Sequence, residues 1–300
     1  MPIQQQIKIL CHQKNAIILA HIYQPPEIQD IADFVGDSLD LSRKAADNKA
    51  DIIVFCGVRF MAETAAILSP KKKVLLPDIS ADCPMAQMCN IKELLAKKKE
   101  YPKAAVVCYV NSTVEVKAES DICCTSSNAV KVVKSLPNKQ IIFVPDQSLG
   151  FYVSTQLPEK EFIFWPGYCP THHRILRTQV EQLKKEYPAA KFAAHPECTK
   201  DVLEIADFIG STGQIARHMQ ETKDNQWIIG SENGMIYTLQ KANPDKKFLS
   251  TSELATCPNM KLATLDKILE VLAQETNRIT VEEKIAKKAR KSIERMLAVP

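Results

Sequence analysis

The chain has 300 residues, of which 39 are Lys or Arg and 35 Asp or Glu, for a formal charge of +4; 45% are hydrophobic and 25% charged. That length holds one large domain or two to three small ones and buries enough surface to stand without disulfide staples. So mild and interspersed a charge argues against a nucleic-acid surface. No apolar run approaches the roughly 18–20 residues that span a bilayer, and the start Met1-Pro2-Ile3-Gln4-Gln5-Gln6 lacks the basic and apolar regions of a signal peptide. The expectation is a cytoplasmic protein whose ten cysteines are metal ligands or core residues rather than disulfides.

Residues 16–20 form an apolar run of strand length, and 25–32 open like a helix. There follow a second strand at 33–36, a helix at 39–50, a third strand at 51–56, a helix at 60–68 and a fourth strand at 73–76. Short apolar strands alternating with helices predict a parallel sheet covered on both faces. The unit then recurs. IADFVGDS at 31–38 returns as IADFIGST at 205–212, an offset of 174 that also links His21 to His195, Met61 to Met235 and Cys83 to Cys257. A middle copy stands between them: Asp33, Asp121 and Asp207 are spaced by 88 and 86 residues, as are Ser38, Ser126 and Thr212, and Val54, Ile142 and Ile228. The phrase Tyr101-Pro102 likewise returns as Tyr187-Pro188.

A single (β/α) barrel of about 250 residues would also fit the length, but a period near 87 favours three small domains. The fold expected is α/β: three similar doubly wound domains, each with a four-stranded parallel sheet, around a pseudo-threefold axis. Their bounds are 1–84, 85–170 and 171–258, and the C-terminal helices of 259–300 are expected to pack back on the first. Thr280-Val281-Glu282-Glu283 resembles a capping box ahead of the last helix.

Ligands of open α/β sheets bind beyond the carboxyl ends of the strands. The first strands end at His21, Tyr109 and His195, and the second at Ser38, Ser126 and Thr212. The loops after the fourth strands carry Cys83, Cys169 and Cys257, each followed by proline. Singly, such residues are ordinary core histidines, helix caps and buried thiols; in register they converge. Three cysteines from three domains make a metal site with a ligand missing. Zinc takes three sulfurs plus water, but thiolate-only ligation favours an iron–sulfur cubane with one open iron. The hydroxyls at expected N-cap positions suit carboxylates or phosphate. The loops His21-Ile22-Tyr23-Gln24, Tyr109-Val110-Asn111 and His195-Pro196-Glu197 offer acid–base groups. Cys11, Cys56, Cys89, Cys108, Cys123, Cys124 and Cys198 read as core residues.

The ordered motifs HIYQ (21–24), GDSL (36–39), YVNS (109–112), TSSNA (125–129), GYCPTHHRI (167–175), HPEC (195–198), GSTG (210–213) and CPNMK (257–261) resemble those of the quinolinate synthase family. The likeness covers roughly residues 15–265. It implies condensation of iminosuccinate (iminoaspartate) with dihydroxyacetone phosphate to quinolinate, with loss of phosphate and water, in de novo NAD biosynthesis. It implies one [4Fe–4S] cluster on Cys83, Cys169 and Cys257. His21, Ser38, Tyr109, Asn111, Ser126, His195, Glu197 and Thr212, with the backbones of Val110 and Pro196, would hold substrate. Tyr23 and Glu197 would transfer protons with help from His195, and His172 would line the cavity. An aspartate oxidase or dehydrogenase is the expected source of the imine; neither nucleic acid nor membrane is expected as a partner. The competing readings are a diphthamide-synthesis-type radical S-adenosylmethionine enzyme, a non-catalytic iron–sulfur redox sensor, and a plain repeat scaffold.

Overall fold

β-Branched apolar runs such as Ile52–Cys56 (IIVFC) and Gln140–Val144 (QIIFV) form strands covered on both faces. The computed structural model describes residues 1–299. The first unit runs α1 (Ile3–Gln13), β1 (Ala16–His21), α2 (Pro26–Ile31), β2 (Phe34–Gly36), α3 (Ser38–Asp47), β3 (Ile52–Cys56), α4 (Arg59–Leu68) and β4 (Lys73–Leu75). The second runs α5 (Ile91–Glu100), β5 (Ala105–Tyr109), α6 (Val114–Ala118), β6 (Ile122–Cys124), α7 (Ala129–Ser135), β7 (Gln140–Val144), α8 (Gln147–Gln156) and β8 (Glu161–Phe164). The third runs α9 (Arg177–Glu186), β9 (Lys191–Ala194), α10 (Lys200–Leu203), β10 (Phe208–Ile209), α11 (Thr212–Glu221), β11 (Gln226–Gly230), α12 (Gly234–Ala242) and β12 (Lys247–Ser250), before α13 (Leu265–Gln274) and α14 (Glu283–Leu297).

The three sheets are all-parallel and share one strand order: β2-β1-β3-β4, β6-β5-β7-β8 and β10-β9-β11-β12. These are three similar doubly wound α/β domains. Each opens with a helix ahead of its first strand that the alternation read from the sequence omitted.

The repeated aspartates explain part of the likeness. Asp33, Asp121 and Asp207 accept the backbone N–H groups of Ile18 (2.7 Å), Val106 (2.8 Å) and Phe192 (2.8 Å) on the adjacent first strands. Each pins its second strand beside the first. A lysine column does the same for helix ends: Lys72, Lys160 and Lys246 each donate to carbonyls just beyond α3, α7 and α11.

The units meet through like contacts. Buried Lys117 on α6 donates to Thr64 Oγ1 (3.1 Å) and the Phe60 carbonyl (3.3 Å) of α4. At another interface Gln29 on α2 takes the same part, bonding the Gly234 carbonyl and Thr238 of α12. Between the remaining pair of units, α10 packs on α8.

The tail divides. Helix α13 packs on α1, whereas α14 lies mainly against α6 and β6 of the second unit and only secondarily against α4. The apolar face of α14 (Ala289, Ile293, Met296) covers β6, an edge strand that would otherwise expose unpaired backbone. That differs from the expected return of the whole tail to the first unit. Nor does a capping box precede α14: it starts at Glu283 behind Glu282, which makes no side-chain cap bond.

Candidate active site

Backbone geometry presents the three cysteines. Three residues beyond each third strand, a backbone N–H bonds the carbonyl two residues before the cysteine: Arg59 to Ala81 (2.8 Å), Gln147 to Gly167 (2.8 Å) and Asn233 to Ala255 (2.9 Å). The chain then turns back on each cysteine carbonyl, which accepts from Ala86 (3.0 Å), His173 (3.0 Å) and Met260 (3.2 Å) in turn. Proline after each cysteine suits the first position of such a turn. All three thiols line one cavity of about 630 Å³, its mouth included. They are half-buried, whereas the other seven cysteines are buried.

Burial pushes the Cys83 thiol up to about 12, and the Glu197 carboxylate and the Cys257 sulfur add to that shift. Burial likewise raises Cys169 and Cys257. A metal centre supplies the positive charge that would hold all three as thiolates, so the donor set fits an iron–sulfur cluster.

A chain of buried hydrogen bonds lies beside them. Tyr109 donates to Glu197 Oε1 (2.5 Å), and His172 Nδ1 stands 2.7 Å from Glu197 Oε2. His172 Nε2 is 3.3 Å from Ser231 Oγ, which is 2.9 Å from the Tyr23 hydroxyl. With Nδ1–H given to the carboxylate, His172 Nε2 accepts from Ser231, and Ser231 accepts from Tyr23. Burial alone would raise Glu197; His172 and the hydrogen bond from the Tyr109 hydroxyl outweigh it and hold the carboxyl well below its usual range. Burial and the Glu197 charge drive Tyr23 and Tyr109 upward, so both stay protonated. The relay Tyr23–Ser231–His172–Glu197 thus joins a protonated phenol to an ionised carboxylate.

Sγ of Cys169, a His172 nitrogen and a Glu197 oxygen lie within 4.8 Å of one another and could hold a single ion. The three already satisfy each other, however, with His172 Nδ1 also 3.2 Å from Cys169 Sγ. A lone ion there would leave Cys83 and Cys257 idle. The cluster reading uses every sulfur and leaves His172 and Glu197 free to handle protons.

The histidines at the first-strand ends have fixed tautomers. His21 Nδ1 accepts the N–H of Tyr23 (3.2 Å) and His195 Nδ1 that of Glu197 (3.3 Å). Burial lowers His21 to about 4 and His195 to about 3. Both are neutral at pH 7 with the proton on Nε2; His195 Nε2 stands 3.2 Å from Ser126 Oγ, to which it donates.

The hydroxyl column sits one position away from its expected role. The N-caps of α3 and α11 are Asp37, accepting from Leu39 and Asp40, and Ser211, in a capping box with Gln214. Ser38 and Thr212 are the first helical residues, and Ser126 lies in the turn ahead of α7, whose cap is Asn128. The caps being taken, Ser38, Ser126 and Thr212 keep their hydroxyls for the cavity they line. Asn111 also lines it, and its Oδ1 is buried without a partner. Among the described residues no Lys or Arg lines the cavity, whereas Asp37, Asp82, Glu197 and Glu232 do; an anion there is held by helix N-termini and neutral donors against those carboxyl groups.

His21, Tyr23, Tyr109, His172, His195 and Glu197 all reach this cavity. Val110 and Pro196 are buried in the adjoining loops and do not line it. Sequence reading missed Asp37, Ser231, Glu232 and Lys261. Asp37 heads a column, Asp37–Thr125–Ser211, that the repeat offsets contain. Ser231 and Glu232 stand where the other units have Gly57-Val58 and Pro145-Asp146, so no repeated residue type marks them.

Comparison with known proteins agrees with this geometry. The family profile described as "Quinolinate synthetase A protein" matches residues 5–298. The quinolinate synthase of Alkaliphilus metalliredigens is 53% identical over 294 residues, spanning 98% of this chain and 97% of the relative. That of Sulfurihydrogenibium sp. is 54% identical over 300 residues (98% and 97%), and that of Aquifex aeolicus 49% over 300 (98% and 93%). The chain belongs to the quinolinate synthase family. It is accordingly a condensing and dehydrating enzyme of NAD biosynthesis, and quinolinate synthases are iron–sulfur enzymes. Neither the diphthamide-type reading nor the redox-sensor reading is favoured by these matches. No helix among the described residues is long and apolar enough to cross a membrane.

Proposed function

We propose that this cavity condenses iminosuccinate with dihydroxyacetone phosphate to quinolinate, releasing phosphate and water, with one [4Fe–4S] cluster on Cys83, Cys169 and Cys257. The observation that carries the proposal is the repeated backbone bond that aims three half-buried cysteines into one cavity beside the Tyr23–Ser231–His172–Glu197 relay. We take the three units, 1–84, 85–170 and 171–258, to surround a pseudo-threefold axis through that cavity; the like contacts made by Lys117 and Gln29 support this.

When bound, a cubane with one iron free of protein sulfur supplies a Lewis acid. The chain's own residues supply the rest. The Nε2–H of His21, the hydroxyls of Ser38, Ser126 and Thr212 and the helix N-termini behind them hold the substrate's anionic groups, and Asn111 Oδ1 accepts from its N–H or O–H. Val110 and Pro196 act from behind by fixing the loops of Tyr109, Asn111, His195 and Glu197. Glu197, ionised and held between Tyr109 and His172, takes a proton from the condensing carbon. Protonation of Glu197 turns the relay over: His172 takes the Nε2–H tautomer and donates to Ser231, Ser231 donates to Tyr23, and the Tyr23 hydroxyl, freed from Ser231, donates to a departing hydroxyl as the proton on Glu197 moves in behind it. Neutral His195 orients Ser126 and flanks Glu197. The substrates are small anions, the imine coming from an aspartate oxidase or dehydrogenase. A cytoplasmic location suits ten free thiols.

The test is anaerobic reconstitution with iron and sulfide quantified. About four of each per chain, lost in Cys83→Ala, Cys169→Ala and Cys257→Ala alike, is the expected result; retention of the metal by any of these variants overturns the ligand set.

A further inference from the structure

Glu232 is fully buried in the cavity wall, and both its oxygens are engaged. Oε1 accepts the backbone N–H of Cys257 (3.0 Å) and faces Lys261 Nζ (2.8 Å); Oε2 accepts the N–H of Gly234 (2.7 Å). Lys261, in the turn just beyond the third unit, also donates to the backbone carbonyl of Tyr23 in the first. The other units have no such arrangement. Val58, at the corresponding position of the first, has no polar side chain. Asp146, in the second, gives one oxygen to the N–H groups of Ser148 and Leu149 and leaves the other without a partner.

We propose that Glu232 and Lys261 form a strut that sets the Cys257 loop and the Tyr23 loop relative to each other, Glu232 positioning the cysteine and Lys261 the tyrosine. The strut rests on the cluster reading above and deepens it: it makes the third metal ligand and the phenol at the relay's end parts of one rigid piece. A carboxylate buried this completely persists only with its partners in place. Glutamine at 232 removes the charge that pairs with Lys261 and turns an NH₂ donor against Gly234 N–H, or against Cys257 N–H and the Lys261 ammonium, so it weakens the strut at almost no change in volume. Partners that orient a metal ligand change metal affinity by roughly 10- to 100-fold when removed.

The test uses the reconstituted full-length protein, with iron release to a ferrous chelator followed anaerobically beside steady-state kinetics. Glu232→Gln is expected to release iron roughly 10- to 100-fold faster than wild type with an unchanged circular dichroism spectrum. Should it fail to fold, Glu232→Asp, whose shorter arm cannot reach Cys257 and Gly234 together, replaces it with the same expectation. Lys261→Met, which leaves Glu232 its bonds to Cys257 and Gly234 but cuts it off from Tyr23, is expected to lose about tenfold in kcat at constant KM with a smaller rise in iron release than Glu232→Gln, and Lys261→Arg should restore most of the loss. Wild-type iron release in the Glu232 variant, or wild-type kcat in Lys261→Met, overturns the strut alone. A wild-type protein that takes up no iron overturns the cluster reading beneath it.

Discussion

Replacing Ser231 by alanine tests the proposed proton path apart from the groups that line the cavity. Its hydroxyl lies 2.9 Å from the Tyr23 oxygen and 3.3 Å from His172 Nε2. It does not line the cavity, so substrate binding is untouched. Without it two buried polar groups lose a partner, at about 1–3 kcal/mol of stability. The kinetic effect is larger. A positioned acid or base contributes about 10²–10⁴ in rate, or about 3–5 kcal/mol of barrier at 1.36 kcal/mol per decade. The expectation for Ser231→Ala is a fall in kcat of about 100-fold or more with KM and iron content unchanged. Ser231→Thr, which keeps the hydroxyl, should stay within about tenfold of wild type. Quinolinate formation measured anaerobically at matched cluster content decides the matter. Wild-type kcat in Ser231→Ala would show that no proton passes through this residue.

The cap geometry separates binding from stability. Ser38→Ala and Thr212→Ala should each raise KM about tenfold, the equivalent of about 1.4 kcal/mol, with unfolding midpoints unmoved, whereas Asp37→Ala should cost about 1 kcal/mol of stability; the reverse pattern would return the capping role to the hydroxyls. His195, at about 3 in the fold against 6.5 for the free side chain, refuses below pH 6.5 a proton that the unfolded chain accepts, so its contribution falls as pH drops from 6.5 toward 3. Between pH 7 and pH 5 that amounts to about 2 kcal/mol, and wild type should lose that much more unfolding free energy than His195→Gln over the interval; equal losses would refute the assignment. Asp121→Ala strands the Val106 N–H and should cost about 1–3 kcal/mol in urea unfolding. Asp121→Asn, still an acceptor, should cost well under half of that; two equal losses would count against the hydrogen bond as the source.

The architecture was legible because the chain repeats itself. Columns such as Asp33–Asp121–Asp207 and Cys83–Cys169–Cys257 carry the threefold repetition of the unit and the strand-end rule at once, and apolar runs such as 51–56 fall within a residue or two of the strands they form. Features set by backbone torsion or by long-range contact were harder to read. Whether Ser38 or Asp37 caps α3 depends on which residue leaves the helical conformation, and both are good caps; the extended backbone of Asp37 decides it. The stripe Ala289–Ile293–Met296 says that α14 packs on something, but only the uncovered edge at β6 says where. Ser231 and Glu232 escaped notice because they are the places where the third unit departs from its sisters, and a repeat search finds likeness, not departure.

The bonds from Arg59, Gln147 and Asn233 carry a consequence for how such a metal site can diverge. The donors are main-chain amides, on an arginine, a glutamine and an asparagine, so the aim of the sulfurs does not pass through the side chain at those positions. Every amino acid but proline offers that amide. Three copies of an ancestral module could therefore drift apart in surface, charge and interface while the loops kept delivering thiols to a common point. The side chains around that point were left free to specialise, with acids and a hydroxyl in one copy and aliphatic carbons in another.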